Sequence, residues 1–410
     1  MKKLKNFAFL LLFCLIIPIF TGCTSGSSSL YLTSLPNKIV YEIGEEVSFK
    51  GLKVESLNTD GTTCNVSVDY SKIDSVDTST FGEKIVKITK GDLSATFSIY
   101  VANRVVESKE QLKQTLSESQ DGDIIYIKKG EYKPENDEDE SLYNMVIDKQ
   151  LTIIGDGSKN TIIHGNFLVG AKQVGEDFLP LDDFEQVKIL NLGFTLNSTQ
   201  NEGYLKYEGP YQKYDVYGAI KTFNSKKITI SNCAFTGYCY GINASQVSDL
   251  TLTKNTFKNI KINGVKVTEN IKNSSICRNI FMDVGTNSLA MENGKQAGIG
   301  ALFLSFQDKG NAGVIVANNS FVRIGLNQGK KTYVSAGADE LELDKANKLT
   351  NGSYMNNSAI IFLVSASSNN LQVGGIILSM NNYGQTLENV RFGTNSENLI
   401  EQAGVYINEN

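Results

Sequence analysis

Five octets that each close on a phenylalanine limit what this chain can fold into. They are VKILNLGF, ITISNCAF, LTLTKNTF, SSICRNIF and VIVANNSF, ending at Phe194, Phe235, Phe257, Phe281 and Phe321. Seven residues before each phenylalanine stand Val187, Ile228, Leu250, Ser274 and Val314, and five before stand Ile189, Ile230, Leu252, Ile276 and Val316. Asparagine recurs two or three residues before it, at Asn191, Asn232, Asn255, Asn279, and Asn318 with Asn319. The phenylalanines are 41, 22, 24 and 40 residues apart. The short intervals match one structural repeat, and the long ones match a repeat plus an insertion. A second column, Gly218, Gly241 and Gly264, has a spacing of 23.

Within each octet the apolar residues alternate with Thr, Ser and Lys, the period of a strand with one buried face. No single repeat can bury that face alone, so successive repeats must stack and align like residues. Asparagine at the bend tolerates left-handed backbone and can hydrogen-bond the next coil as a ladder. Ahead of the octets, Ser108-Lys109-Glu110-Gln111 has the form of a capping box, with Leu112 and Leu116 one helical turn apart behind it. A strand at Ile124–Ile127 and the turn KKGEY follow. The stretch LTIIGDGSKNTIIHGN (151–166) reads as one of the first coils, with Leu151, Ile153 and Ile162 inward. His164, the only histidine, falls at a strand end and reads as a hydrogen-bonded scaffold residue.

Together, the helix, the strand with its turn and the two columns resemble the pectin lyase-like superfamily across 103–410. The resemblance implies a right-handed parallel β-helix capped by the short helix, a scaffold that hosts many functions. Residues 30–102 also alternate in short runs split by turn signals. There, YEIGEEVSFKGLKVESLNTDGTT and DTSTFGEKIVKITKGDLSATFSIYV resemble bacterial Ig-like domains, which implies a β-sandwich spacer with Cys64 as a buried thiol. The fold class expected is therefore all-β.

Residues 1–22 form a targeting segment: a basic start at Lys2, Lys3 and Lys5, then an apolar run from Phe7 to Phe20. FTGC resembles a bacterial lipobox. That resemblance implies cleavage before Cys23, lipidation of its sulfur, a flexible tether over 23–29 and an extracytoplasmic, membrane-anchored location. The net charge of −5 argues against a nucleic-acid partner. One histidine and no Cys-x-x-Cys pair leave no zinc site, and calcium, at the acidic run Glu135–Glu140, is the one cofactor candidate.

Function is sought first on the insertions. The first holds Tyr204, Tyr207, Tyr211, Tyr214 and Tyr217, interleaved with Lys206 and Lys213. Tyrosine rings stack on sugar faces and their hydroxyls bond sugar hydroxyls; lysines meet uronate carboxylates. Tyr238 and Tyr240 are expected about one coil away. These residues point to binding of extracellular or surface polysaccharide. The enzymatic alternative is a polysaccharide lyase, in which a base takes the proton beside a uronate carboxylate. Its candidates are Lys254 and Arg278, three residues before Phe257 and Phe281 in adjacent coils, with Lys221 and Lys266 as further outward cations. A purely structural surface protein is the third reading. Asp182 and Asp183, adjacent in a strand, face opposite ways and make no acid/base pair.

Overall fold

The computed structural model describes residues 27–285 apart from 60–61, 70–72, 74, 137–138, 140, 176 and 197–217, and beyond 285 isolated stretches as far as 392. It is all-β apart from one helix among the described residues: an Ig-like portion precedes a parallel β-helix.

In the Ig-like portion, Ser27–Ser34 pairs antiparallel with Lys53–Asn58, which pairs antiparallel with Thr63–Val66. A second sheet joins Val40–Glu42, Leu93–Ala102 and Gly82–Lys90. Strand alternation puts Val86, Ile88, Phe97 and Ile99 inside. Cys64 departs from the sequence expectation. It is half-exposed, not buried.

The β-helix begins where expected. The helix Lys109–Glu118 starts at Ser108, whose Oγ accepts the Gln111 N–H at 3.3 Å. The Gln111 side chain reaches back to the N–H of Glu107 at 2.8 Å, one residue before the cap. Leu112 and Leu116 join the core cluster with Val106, Ile125 and Met145, so the helix covers apolar surface that no further coil would bury.

Each coil then contributes a short strand to three faces. Face 1 runs through Ile124–Ile127, Thr152–Gly155, Phe184–Leu190, the end of Gly218–Ser231, Thr251–Thr253, Ser275–Cys277 and Ile315–Ala317. Its inward row is Ile125, Ile153, Ile189, Ile230, Leu252, Ile276 and Val316, matched rung by rung. Face 2 carries the phenylalanines. Phe194, Phe235, Phe257 and Phe281 lie in register, and the pairing continues to Phe321. Their rings stack nearly parallel at 5.4, 4.9 and 4.7 Å between centroids. Face 3 comprises Met145–Ile147, Phe167–Val169, the start of Gly218–Ser231, Tyr240–Ser248, Asn263–Lys272, Ile299–Phe306 and Val373–Met380.

The corners explain the asparagines, which split into two columns. Asn191 and Asn232 occupy left-handed backbone (φ 57° and 54°), and Lys254 and Arg278 take the same position in the next two coils (φ 57° and 59°). One residue later, Asn255, Asn279 and Asn319 are buried and form the ladder. The Asn255 N–H donates to Asn279 Oδ1 at 3.0 Å, and the Asn279 N–H to Asn319 Oδ1 at 2.9 Å. Each carboxamide also donates across to a face 1 carbonyl: Ile230, Leu252 and Ile276 respectively.

Two other expectations shift by one residue. Gly218 pairs with Tyr240, not Gly241; the small-residue row is Ala219, Gly241, Gly264 and Ala301. A Cβ on Gly241 or Gly264 would lie 2.5 Å from the Phe257 or Phe281 ring, so the phenylalanine stack itself demands small residues there. In the early coil, Ile163 faces inward and pairs with Phe194, while Ile162 is half-exposed. Two consecutive isoleucines carry no alternation, and the register decides which is buried.

Candidate functional site

Long and short links are distributed unevenly around the coil. Between faces 1 and 2 only two residues intervene from Leu190 to Gly193, Ser231 to Ala234, Thr253 to Thr256 and Cys277 to Ile280. Between faces 2 and 3 the links are long at Tyr132 to Met145, Thr195 to Gly218, Val284 to Ile299 and Ile324 to Val373. At Ile163 to Phe167, Thr236 to Tyr240 and Ile260 to Asn263 they are short. The corner between faces 2 and 3 thus carries most of the long links, whereas the hairpin of Ala171–Val174 with Asp177–Pro180 leaves the corner between faces 3 and 1.

Face 3 buries Ile220, Ile242, Val265 and Leu302 in one inward row, and Thr222, Ala244, Val267 and Leu304 in another. Alternation then points Lys221, Asn243, Lys266 and Phe303 outward, and these four pair in one row. The Lys221 ammonium lies 4.8 Å from the Phe223 ring centroid and the Lys266 ammonium 5.0 Å from that of Tyr240. Such cation–ring contacts hold an ammonium group in place. Lys221 and Asn243 are half-exposed, whereas Lys266 is 5% exposed beside buried Tyr240 and Asn263. The row is thus a cationic, hydrogen-bonding floor that deepens toward Lys266.

The structure treats the residues expected from sequence unequally. Tyr204, Tyr207, Tyr211, Tyr214, Tyr217, Lys206, Lys213 and Cys23 lie outside the described residues. The segment bearing the five tyrosines joins Leu196 to Gly218 at the corner of faces 2 and 3. Tyr238 is fully buried and its hydroxyl donates to the Gly165 carbonyl, so it is scaffold; burial pushes its phenol well up. Tyr240 does lie one coil from Gly218 and supplies a ring to the floor. Lys254 and Arg278 are exposed neighbours at the opposite corner, between faces 1 and 2. Lys221 and Lys266 were legible as outward cations. Asn243 and Tyr240 join them only once the register is known.

In the acidic run, the described Asp139 is bonded within the protein. Asp139 Oδ2 accepts from the Lys109 ammonium at 2.6 Å and from the Glu135 N–H at 2.8 Å, and Oδ1 accepts from the Ser141 N–H at 2.9 Å. These bonds, led by Lys109, hold its carboxyl well below the usual range. No group of three or more metal-ligating side chains occurs among the described residues. Asp183 is paired with Lys226 at 2.6 Å. Cys233 and Cys239 are buried thiols that desolvation pushes up to about 12 and about 11.

His164 corrects its expected role as a hydrogen-bonded residue, since neither ring nitrogen has a hydrogen-bond partner among the described residues. Burial lowers its pKa; Glu131 opposes this and Lys133 adds to it. The unfolded chain therefore takes up a proton at a pH where the folded one does not. Stability should fall as pH drops below the ordinary histidine value of about 6.5, by at most about 1.4 kcal/mol per pH unit. Thermal melts between pH 7 and 5.5 test this. With no second histidine in the chain, His164→Leu should flatten the profile and raise the melting temperature.

A family model of the Bacterial Ig-like domain (group 3) matches residues 34–101. No curated protein matches the chain. Among solved structures, the catalytic domain of a GH87 alpha-1,3-glucanase shares 13% identity, covering 90% of this chain and 72% of the other, with a TM-score of 0.34. A family 28 exopolygalacturonase from Yersinia enterocolitica shares 9%, covering 86% and 73%, with a TM-score of 0.32. An alginate lyase from a Paenibacillus species shares 10%, covering 72% and 99%, with a TM-score of 0.20. The activities in those names belong to those proteins.

Proposed function

We propose that the protein binds polysaccharide on face 3, as a surface protein carried on a lipid anchor at Cys23 with the Ig-like portion as spacer. The observation that carries this is the outward row Lys221–Asn243–Lys266, with Phe223 and Tyr240 against its ammonium groups. The half-exposed Asn243 carboxamide offers donors and an acceptor to sugar hydroxyls, and the half-exposed Lys221 beside it suits a carboxylate or sulfate. Mounted on a close-packed coil stack, the row is preorganised and loses little entropy on binding.

A screen of immobilised glycans tests this: acidic polysaccharides should be retained, and Lys221→Ala should retain them more weakly. β-elimination at Lys254 or Arg278 is the alternative, favoured by their adjacent, exposed positions. Release of unsaturated uronate products in the same samples, abolished by Lys254→Gln or Arg278→Gln, would establish it in place of simple binding.

A further inference from the structure

Face 1 carries a second array that the reading above does not use. We propose that it is a docking surface for an anionic polysaccharide laid along the coil axis. In three successive coils its outward side chains are Thr229 and Ser231, Thr251 and Thr253, then Ser275 and Cys277, and each pairs in register with the next. The hydrophobic residue between each pair, Ile230, Leu252 or Ile276, is fully buried. The result is a flat ladder of small polar groups. Rungs recur at about 4.8 Å between coils, and the two groups on one strand are separated by about 6.6 Å.

All six side chains are half-exposed. The two threonines of the middle coil, together with Thr229 and Ser231, form no side-chain hydrogen bond among the described residues; Ser275 Oγ lies 3.2 Å from Cys277 Sγ. Hydroxyls on a regular sheet face that bond nothing among the described residues are available to a partner with hydroxyls of its own. The ladder contains no aromatic anchor of the kind that dominates protein–protein contacts.

The charge along its edge selects the partner. At the corner beside the ladder, Asn191, Asn232, Lys254 and Arg278 form one column, with Asn232 Nδ2 donating to Asn191 Oδ1 at 2.8 Å. Lys254 directly follows Thr253 and Arg278 follows Cys277, and neither makes an ion pair among the described residues. At the other edge Lys227 is neutralised by Glu185 at 2.9 Å, and Asp249 adds negative charge. The uncompensated charge beside the ladder is therefore positive. Two cations are too few for nucleic acid, which demands a broad basic surface. They do suit a carbohydrate polymer with a hydroxyl network and spaced carboxylates. With face 3, the protein would hold one polymer at two places, gaining avidity that neither site has alone.

Binding of long and short polygalacturonate, with alginate as a second polyanion and dextran as a neutral control, tests this on the purified protein. Thr251→Val with Thr253→Val keeps shape and removes the hydroxyls, and Lys254→Gln with Arg278→Gln removes the charges. Both pairs should leave the melting temperature unchanged. The charge pair should weaken long-chain binding at least tenfold and the hydroxyl pair about threefold. Short-oligomer binding should persist in both and weaken about tenfold in Lys221→Ala, which separates failure of this proposal from failure of the face 3 reading. Long-chain binding equal to wild type in both pairs overturns the proposal. So does retention of dextran as tight as that of the polyanions, or no retention of either polyanion by the wild-type protein.

Discussion

Replacing Phe257 by alanine should cost about 3–5 kcal/mol of stability, measured by urea denaturation of the purified protein. Phe257 is fully buried at the centre of the stack, 4.9 Å from Phe235 on one side and 4.7 Å from Phe281 on the other. Alanine removes both ring contacts and leaves a cavity that the neighbours cannot fill, because each phenylalanine is fixed by a strand paired above and below. The small row on face 3 sharpens the expectation. A Cβ on Gly241 would meet the Phe257 ring at 2.5 Å as well as the Gly264 carbonyl oxygen at 2.6 Å, and removing the ring relieves the first of these clashes. A Phe257→Ala, Gly241→Ala double variant should therefore lose less than the sum of the single variants. Since coils interact chiefly with their neighbours, the transition should also broaden.

The asparagine ladder yields the second large effect. Asn279 is 1% exposed; its Oδ1 accepts both the N–H and the Nδ2 of Asn255, and its Nδ2 donates to the Leu252 carbonyl and to Asn319 Oδ1. In Asn279→Ala the Asn255 N–H is left buried without an acceptor and the Leu252 carbonyl loses its donor. At about 1–3 kcal/mol for each orphaned group, the variant should lose about 2–5 kcal/mol. Asn279→Asp separates the hydrogen-bond account from one based on volume. It keeps size and the acceptor but cannot donate when ionised, and it buries a charge. At neutral pH it should be less stable than Asn279→Ala, and it should recover as the carboxyl is protonated.

How far these residues could be seen in the sequence depended on their chemistry. Phenylalanine and the branched aliphatics recur at fixed offsets because a stacked interior repeats the same volume in every coil, so their columns were visible without coordinates. The asparagines were visible as a group but not as two columns, since one residue type serves both the left-handed bend at Asn191 and Asn232 and the buried ladder one position later. Lys254 and Arg278 stood out as a pair of cations, yet their shared left-handed backbone shows that the position is first a corner of the coil. The glycine column slipped by one because Ala219, not Gly218, is the small residue level with Gly241. The face 3 floor was half legible. Lys221 and Lys266 point outward by alternation alone, but Asn243 joins them only through the pairing of three strands.

The central claim is that this row binds acidic polysaccharide, and the most direct measurement is isothermal titration of the protein with a short polyuronate oligosaccharide. Lys221→Ala and Asn243→Ala, both at half-exposed positions, should each raise Kd about tenfold with melting temperatures unchanged, and the wild-type affinity should weaken as salt is added. Wild-type affinity in both variants would contradict the account.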